Sequence, residues 1–68
     1  MSQPDRPTDW TPGEGDRVRI GPSFQSPSFR GEVGRIAYIR GALALVELDE
    51  ECRGYPSLVV PVADLERP

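Results

Sequence analysis

The residue types that most often carry nucleophilic or metal chemistry are scarce in this chain. Its 68 residues include no histidine and a single cysteine, Cys52, which follows the carboxylates Asp49, Glu50 and Glu51. Negative charge next to a thiol disfavours the reactive thiolate, and a serine or cysteine nucleophile also needs a neighbouring base. The three consecutive carboxylates lack the spaced oxygen ligands of a calcium loop. We therefore expect a protein that is not an enzyme and that binds no metal, cofactor or small-molecule substrate.

Arginine is the residue type with the strongest pattern. All eight basic residues are arginines, and residues 17–40 carry a local charge of +4 although the whole chain carries −3. Five arginines fall in this segment: Arg17, Arg19, Arg30, Arg35 and Arg40. Guanidinium groups form bidentate contacts with carboxylates and phosphates, so this set is either a solvated, salt-bridged surface or a docking site for an acidic partner. Residues 41–68 carry −4, so we expect two electrically different sides.

Aromatic and aliphatic side chains complete the candidate partner-binding residues. Phe24 and Tyr55 lie in segments rich in glycine, proline and serine, and we expect both rings to be exposed, whereas Phe29 is expected in the core. Leu43 and Leu45 share one face of a predicted strand with Glu47, where solvent would favour polar residues. Aromatic residues beside arginines suit a protein interface and also suit stacking on unpaired bases.

Short β-strands are the elements that would position these side chains. Alternating polar and apolar residues predict the first strand at Arg17–Ile20, followed by strands over about 32–40, 42–48 and 58–60. Residues 49–56 are expected to form an acidic loop, and 62–66 a short or 3₁₀ turn that leads to a last brief strand. Helical apolar spacing is missing, so no helix of ordinary length is expected.

The strands are expected to bury one small core. Its predicted members are Val18, Ile20, Val33, Ile36, Ile39, Leu45, Val46, Leu48, Val59 and Val60. The apolar residues of the second strand do not share one parity, which predicts a bulge or sharp bend, with Gly34 as its natural position.

Residues 1–14 contain three prolines and one large apolar side chain, Trp10. This composition predicts a flexible, disordered N-terminal arm ahead of one domain at 15–68, with Trp10 either folding back on the domain as a lid or binding a partner. No basic-then-apolar leader opens the chain, and no apolar run approaches the ~20 residues of a membrane span. We expect a small soluble protein of the cytoplasm.

Four segments together resemble a KOW domain, a family of SH3-like barrels. They are the opening Gly15-Asp-Arg-Val-Arg-Ile20, then Phe29-Arg-Gly-Glu-Val-Gly-Arg-Ile36, then Ala44-Leu-Val-Glu-Leu48, and finally Val60-Pro-Val-Ala-Asp-Leu-Glu66. The resemblance implies a small all-β, five-stranded SH3-like barrel in which Gly34 packs closely at a bend. It also implies binding of RNA or protein, since the family includes ribosomal proteins and transcription elongation factors. Similar barrels are accessory subunits of photosystem I, of ferredoxin–thioredoxin reductase and of nitrile hydratase.

The acidic composition and the absence of lysine favour a protein partner over a phosphate backbone. We expect a non-catalytic binding module, a protein-binding adaptor or small accessory subunit of a larger complex. The alternative is RNA or single-stranded nucleic-acid binding through the arginine-rich face. The residues expected to bind the partner are Arg17, Arg19, Phe24, Arg30, Arg35, Arg40, Leu43, Leu45 and Tyr55.

Overall fold

The computed structural model describes residues 11–68, and the expectations for Trp10 and the rest of residues 1–10 lie outside this range. The described residues form one antiparallel sheet whose strands are β1 (Arg17–Ile20), β2 (Val33–Arg40), β3 (Leu43–Cys52), β4 (Tyr55–Pro61) and β5 (Leu65–Glu66). Their spatial order is β4-β3-β2-β1-β5, so β4 and β5 are edges and the sheet is not closed into a barrel. The all-β prediction with five strands is confirmed.

Two 3₁₀ turns, Pro27–Phe29 and Val62–Asp64, are the helical elements within residues 11–68. The second turn leads directly into β5, as the sequence predicts. Residues 11–68 contain no helix with the length and apolar character that a membrane-spanning segment requires.

The acidic loop predicted at residues 49–56 is wrong, because this segment is a β-hairpin. β3 continues to Cys52, and a two-residue turn, Arg53-Gly54, leads into β4 with both φ angles positive, as a type I′ turn requires. The acidic residues fall where the register shifts between Glu47 and Cys52. Aspartate and glutamate have low β propensity. β3 accommodates these carboxylates in a stretch where its pairing with β4 is irregular.

The bulge predicted in β2 is confirmed, but its position at Gly34 is wrong. The register with β3 shifts between Ile36 and Tyr38, so Ala37 is the extra residue. The bulge reverses the alternation of the strand. Ile36 and Ile39 therefore both turn toward the core, and Tyr38 turns to the opposite face.

Gly34 has a different role, which is close packing between strands. It is buried and pairs with Val18 on one side and Leu48 on the other. A Cβ atom at this position would overlap the backbone carbonyl of Glu47 and lie 2.9 Å from Val46 Cγ1. Only glycine fits here without displacing β3.

The core lies on one face of the sheet, which we call the inner face. Its buried residues are Val18, Ile20, Phe24, Phe29, Ile36, Ala44, Val46, Leu48, Val60 and Leu65. The prediction of Val59 as a core residue is wrong, since 56% of its surface is exposed. Val33, Ile39 and Leu45 are half-buried rather than buried.

The prediction that Phe24 is exposed is wrong, because only 6% of its surface is accessible. The inner face carries Gly34 and Ala44, so strand residues alone leave volume to be filled there. The loop between β1 and β2 supplies Phe24 and Phe29. The loop is held by Phe24 N–H, which donates to Gly21 O over 3.3 Å, and by Arg30 Nε, which donates to Phe24 O over 2.7 Å.

Residues 12–14, which the sequence assigns to the arm, contact the sheet. Pro12 is buried, and Gly13 N–H donates to Asp16 Oδ2 over 2.8 Å. The carboxylate of Glu14 accepts a hydrogen bond from Ile39 N–H over 3.1 Å. The chain therefore runs beside the second half of β2 before β1 begins.

Candidate functional site

A row of apolar side chains crosses three strands on the outer face of the sheet, the face turned away from the core. Tyr38, Leu45 and Val59 are direct partners in the register of β2, β3 and β4. Directly opposed Cβ atoms lie about 5 Å apart, so the three side chains form one surface. Tyr38 and Val59 are 47% and 56% exposed.

A second row lies beside the first and contains Arg40, Leu43 and Pro61. Leu43 is 47% exposed, and the Arg40 guanidinium carbon lies 5.7 Å from the centroid of the Tyr38 ring, within range of a cation–π contact. We call Tyr38, Leu43, Leu45, Val59 and Pro61 the outer-face cluster.

The expectation that Leu43 and Leu45 lie on one solvent-facing side is confirmed, with Leu43 exposed and Leu45 half-buried. Tyr38 and Val59 were missed as site residues. The signal for Tyr38 was the broken parity of β2, because a bulge after Ile36 moves residue 38 to the outer face. Val59 is placed there by its pairing with Leu45, which the single apolar run of β4 did not reveal.

Two of the five candidate arginines are already paired with carboxylates. The Arg17 guanidinium reaches across β2 and donates to both carboxylate oxygens of Asp49, over 2.6 and 3.3 Å. Arg19 donates to Glu66 Oε1 over 3.3 Å. Both pairs are solvent-exposed, so each stabilises the fold by less than about 1 kcal/mol. Their main effect is to neutralise the positive charges of Arg17 and Arg19 on β1.

The remaining three arginines separate into two groups. Arg30 is bound to the Phe24 carbonyl and holds the loop between β1 and β2. Arg35 and Arg40 lie on the outer face of β2 on either side of Tyr38. Within residues 11–68, neither Arg35 nor Arg40 forms a salt bridge. Glu47 lies directly opposite Arg35 in the register and offsets part of its charge, so the positive charge beside the outer-face cluster comes mainly from Arg40.

A groove of about 410 Å³ adjoins the cluster. Its lining residues are Ser23, Phe24, Gln25, Leu43, Val59, Pro61 and Asp64. Ser23 Oγ donates to Asp64 Oδ1 over 2.6 Å, which connects the loop between β1 and β2 to the 3₁₀ turn before β5. Three members of the outer-face cluster line this groove, so the cluster and the groove form one continuous surface.

Tyr55 is exposed, as expected, but it is not part of the outer-face cluster. Its ring packs edge-on against Phe29, with the centroids 5.7 Å apart, and it pairs with Cys52 next to the turn. Partial burial and the nearby carboxylate of Glu32 raise the pKa of the Cys52 thiol, and Arg53 opposes this effect. Cys52 Sγ lies 3.7 Å from Ser28 O. The thiol is therefore largely protonated at neutral pH.

Within residues 11–68, no group of three or more cysteine, aspartate or glutamate side chains has the geometry of a metal site. Comparison of the chain with models of protein families, with curated proteins and with solved structures finds no match.

Proposed function

We propose that this protein is a non-catalytic protein-binding module, an adaptor or small accessory subunit that docks a larger partner on its outer face. The observation that carries the proposal is the outer-face cluster, an apolar surface that crosses three strands and continues into a groove. Contiguous apolar surface of this kind marks interaction sites on small proteins. Tyrosine and arginine, here Tyr38 with Arg35 and Arg40, are enriched at the centres of protein interfaces.

The charges indicate the chemistry of the partner. Asp49 and Glu66 neutralise Arg17 and Arg19, whereas Arg35 and Arg40, on either side of Tyr38, form no salt bridge within residues 11–68. A partner that presents a large apolar side chain with carboxylates near it would match this pattern. We therefore propose an acidic protein surface as the partner.

We further propose that the sheet belongs to the SH3-like class of the KOW type. The first residues of β2 pair with β1, while the strand pairs with β3 along nearly its whole length and carries a bulge at Ala37. A bulged strand shared between two halves of a sheet is a common way to turn a corner. A solution structure in which both halves of β2 lie in one flat sheet would contradict this assignment.

The test of the binding proposal is a quantitative pull-down from lysate of the source cells. A Tyr38→Ser, Leu43→Ser double variant removes two half-exposed side chains of the cluster without opening the core. Glu50→Gln, Glu51→Gln changes two exposed residues outside the cluster and is the matched control. We expect one stoichiometric protein to be recovered by the wild type and the control and lost by the cluster variant. Equal recovery by both variants would exclude the outer-face cluster as the docking surface.

RNA or single-stranded nucleic-acid binding is the second candidate function. The exposed Tyr38 ring, with Arg35 and Arg40 on either side of it along β2, could stack on a base while the guanidinium groups contact phosphates. The assay is titration of a fluorescent single-stranded RNA at salt concentrations around 150 mM. Tight binding that weakens steeply with salt and is lost in Arg35→Glu, Arg40→Glu, but not in Arg53→Glu, would replace the protein-binding proposal.

A further inference from the structure

β4 is an edge strand, and the edge of it that points away from β3 has no hydrogen-bonding neighbour in the described part of the chain. It pairs with β3 alone, and within residues 11–68 no other segment donates to or accepts from the backbone of residues 55–61. The strand has the sequence Tyr-Pro-Ser-Leu-Val-Val-Pro and carries no charge. Charged side chains are a usual protection of sheet edges, and this edge lacks them.

The register identifies which backbone groups of β4 face outward. Arg40 and Leu43 flank a two-residue turn and form a hydrogen-bonded pair, so Leu43 and Leu45 direct their peptide groups toward β2. Ala44 and Val46 then direct theirs toward β4. The hydrogen bond from Val62 N–H to Ala42 O, 2.8 Å long, agrees with this alternation. Residue 42 lies two positions before Ala44, and residue 62 lies two positions after Val60.

It follows that Val60 and Leu58 bond to β3, whereas Ser57, Val59 and Pro61 direct their backbone groups to the open side. Proline has no N–H group and is tolerated at an edge where that group would face solvent, and Pro61 occupies such a position. The open edge therefore offers the N–H groups of Ser57 and Val59 and the carbonyls of all three residues.

We propose that β4 pairs with β4 of a second copy of this chain, antiparallel and about a two-fold axis at Val59. In this register the Val59 residues of the two copies exchange both of their backbone hydrogen bonds. Each Ser57 N–H meets the Pro61 carbonyl of the other copy, so every outward N–H group of residues 57–61 finds an acceptor. A contact of this kind is isologous and closes after two copies.

The side chains favour this register over the one shifted toward Leu58. The two Val59 side chains lie opposite each other on the outer face, about 5 Å apart at Cβ, and cover apolar surface that is 56% exposed in the single chain. A shift of the axis to Leu58 would place each Val59 against Ser57 instead. No charge on β4 opposes the contact, and the nearest outer-face arginines lie on β2, two strands away.

The pairing joins the Tyr38, Leu45 and Val59 rows of both copies into one stripe across a sheet of twice the width. The outer-face cluster ends at the edge of the single chain, and the second copy continues it. The inference depends on the backbone of β4 and stands whether or not the proposed partner is found.

The test is sedimentation equilibrium of the full chain from about 1 µM to about 1 mM. We expect the mean mass to rise from 7.5 kDa toward twice this value. Hydrogen exchange followed by NMR should slow about tenfold with concentration at the amides of Ser57 and Val59. The amides of Leu58 and Val60, which already bond to β3, should change much less.

Val59→Pro removes an outward N–H and blocks the approach of a second strand, so it should remain monomeric, whereas Val59→Thr keeps the N–H and the branched shape and should dimerise. If Val59→Pro does not fold, Val59→Lys decides, because it places like charges at the axis on an exposed position. A wild type that stays monomeric at about 1 mM would overturn the proposal. A dimer that survives in the folded Val59→Pro or Val59→Lys variant, or that leaves the Ser57 and Val59 amides unprotected, would overturn it equally.

Discussion

Replacing Gly34 with alanine tests the closest approach between strands in this protein. The added methyl group would overlap the Glu47 carbonyl oxygen and lie 2.9 Å from both the Glu47 carbonyl carbon and Val46 Cγ1. Two of these atoms belong to the backbone of β3, so no side-chain rotation relieves the contact. β2 and β3 must separate locally, which weakens the ladder on which Tyr38, Leu45 and Val59 depend.

The expected change in the free energy of unfolding combines two opposing contributions. Forcing an extra methyl group into a packed site costs about 1–3 kcal/mol, and a backbone obstacle places this site in the upper half of that range. Alanine also reduces the freedom of the unfolded chain, which offsets about 0.5–1 kcal/mol. The expected net loss in the free energy of unfolding is about 2 kcal/mol, which corresponds to a fall in Tm of roughly 8–15 °C for a domain of this size.

The assay is thermal and urea denaturation followed by circular dichroism. Gly13→Ala is the matched control, because the nearest atom to a Cβ at Gly13 is Asp16 Oδ2 at 3.7 Å, an ordinary contact. Its Tm should remain within a few degrees of the wild type. A Gly34→Ala variant as stable as Gly13→Ala would refute the close approach of β2 and β3 at this position.

Three further variants test the core, the ion pairs and the thiol. Phe24→Ala should lose about 3–5 kcal/mol, comparable to the whole stability of so small a domain, and should be unfolded by circular dichroism at 25 °C; a Tm near that of the wild type would mean that the ring is not a core residue. Asp49→Asn breaks the exposed pair with Arg17 and should cost less than about 1 kcal/mol in urea denaturation; a loss above about 2 kcal/mol would contradict the modest weight given to exposed pairs. Cys52, whose pKa is raised, should react with iodoacetamide at pH 8 more slowly than a cysteine in an unstructured peptide. Glu32→Gln removes a group that raises this pKa, so alkylation should be faster, and an unchanged or slower rate would show that Glu32 does not act on the thiol.

The local sequence pattern was sufficient to predict features that depend on the alternation of polar and apolar residues within one strand. Alternation at Arg17–Ile20 predicted β1 within its observed bounds, and the broken parity of β2 predicted a bulge. The pattern could not place the bulge, because glycine serves bends and close contacts equally well. Gly34 is used for contact with Glu47, and the bend falls at Ala37, whose small side chain carries no turn signal.

For the same reason, only part of the outer-face cluster could be predicted from the sequence. Leu43 and Leu45 stood out because consecutive outward positions of one strand are apolar. Tyr38 and Val59 could be assigned to the same surface only through cross-strand register, a non-local property. The prediction for Phe24 was wrong because its neighbours in sequence are loop-forming residues, whereas in the fold its side chain belongs to the buried core.

By itself, the sequence determined an all-β chain of five short strands, no histidine-based chemistry and an arginine-rich first half, because composition and alternation are local properties. Tertiary structure alone decided which of the five candidate arginines form salt bridges within residues 11–68. Arg17 and Arg19 meet Asp49 and Glu66 across 32 and 47 positions of sequence, and strand order brings those charges together. Arg35 and Arg40 lie beside the outer-face cluster, and neither forms a salt bridge within residues 11–68, although Glu47 is the register partner of Arg35 on β3.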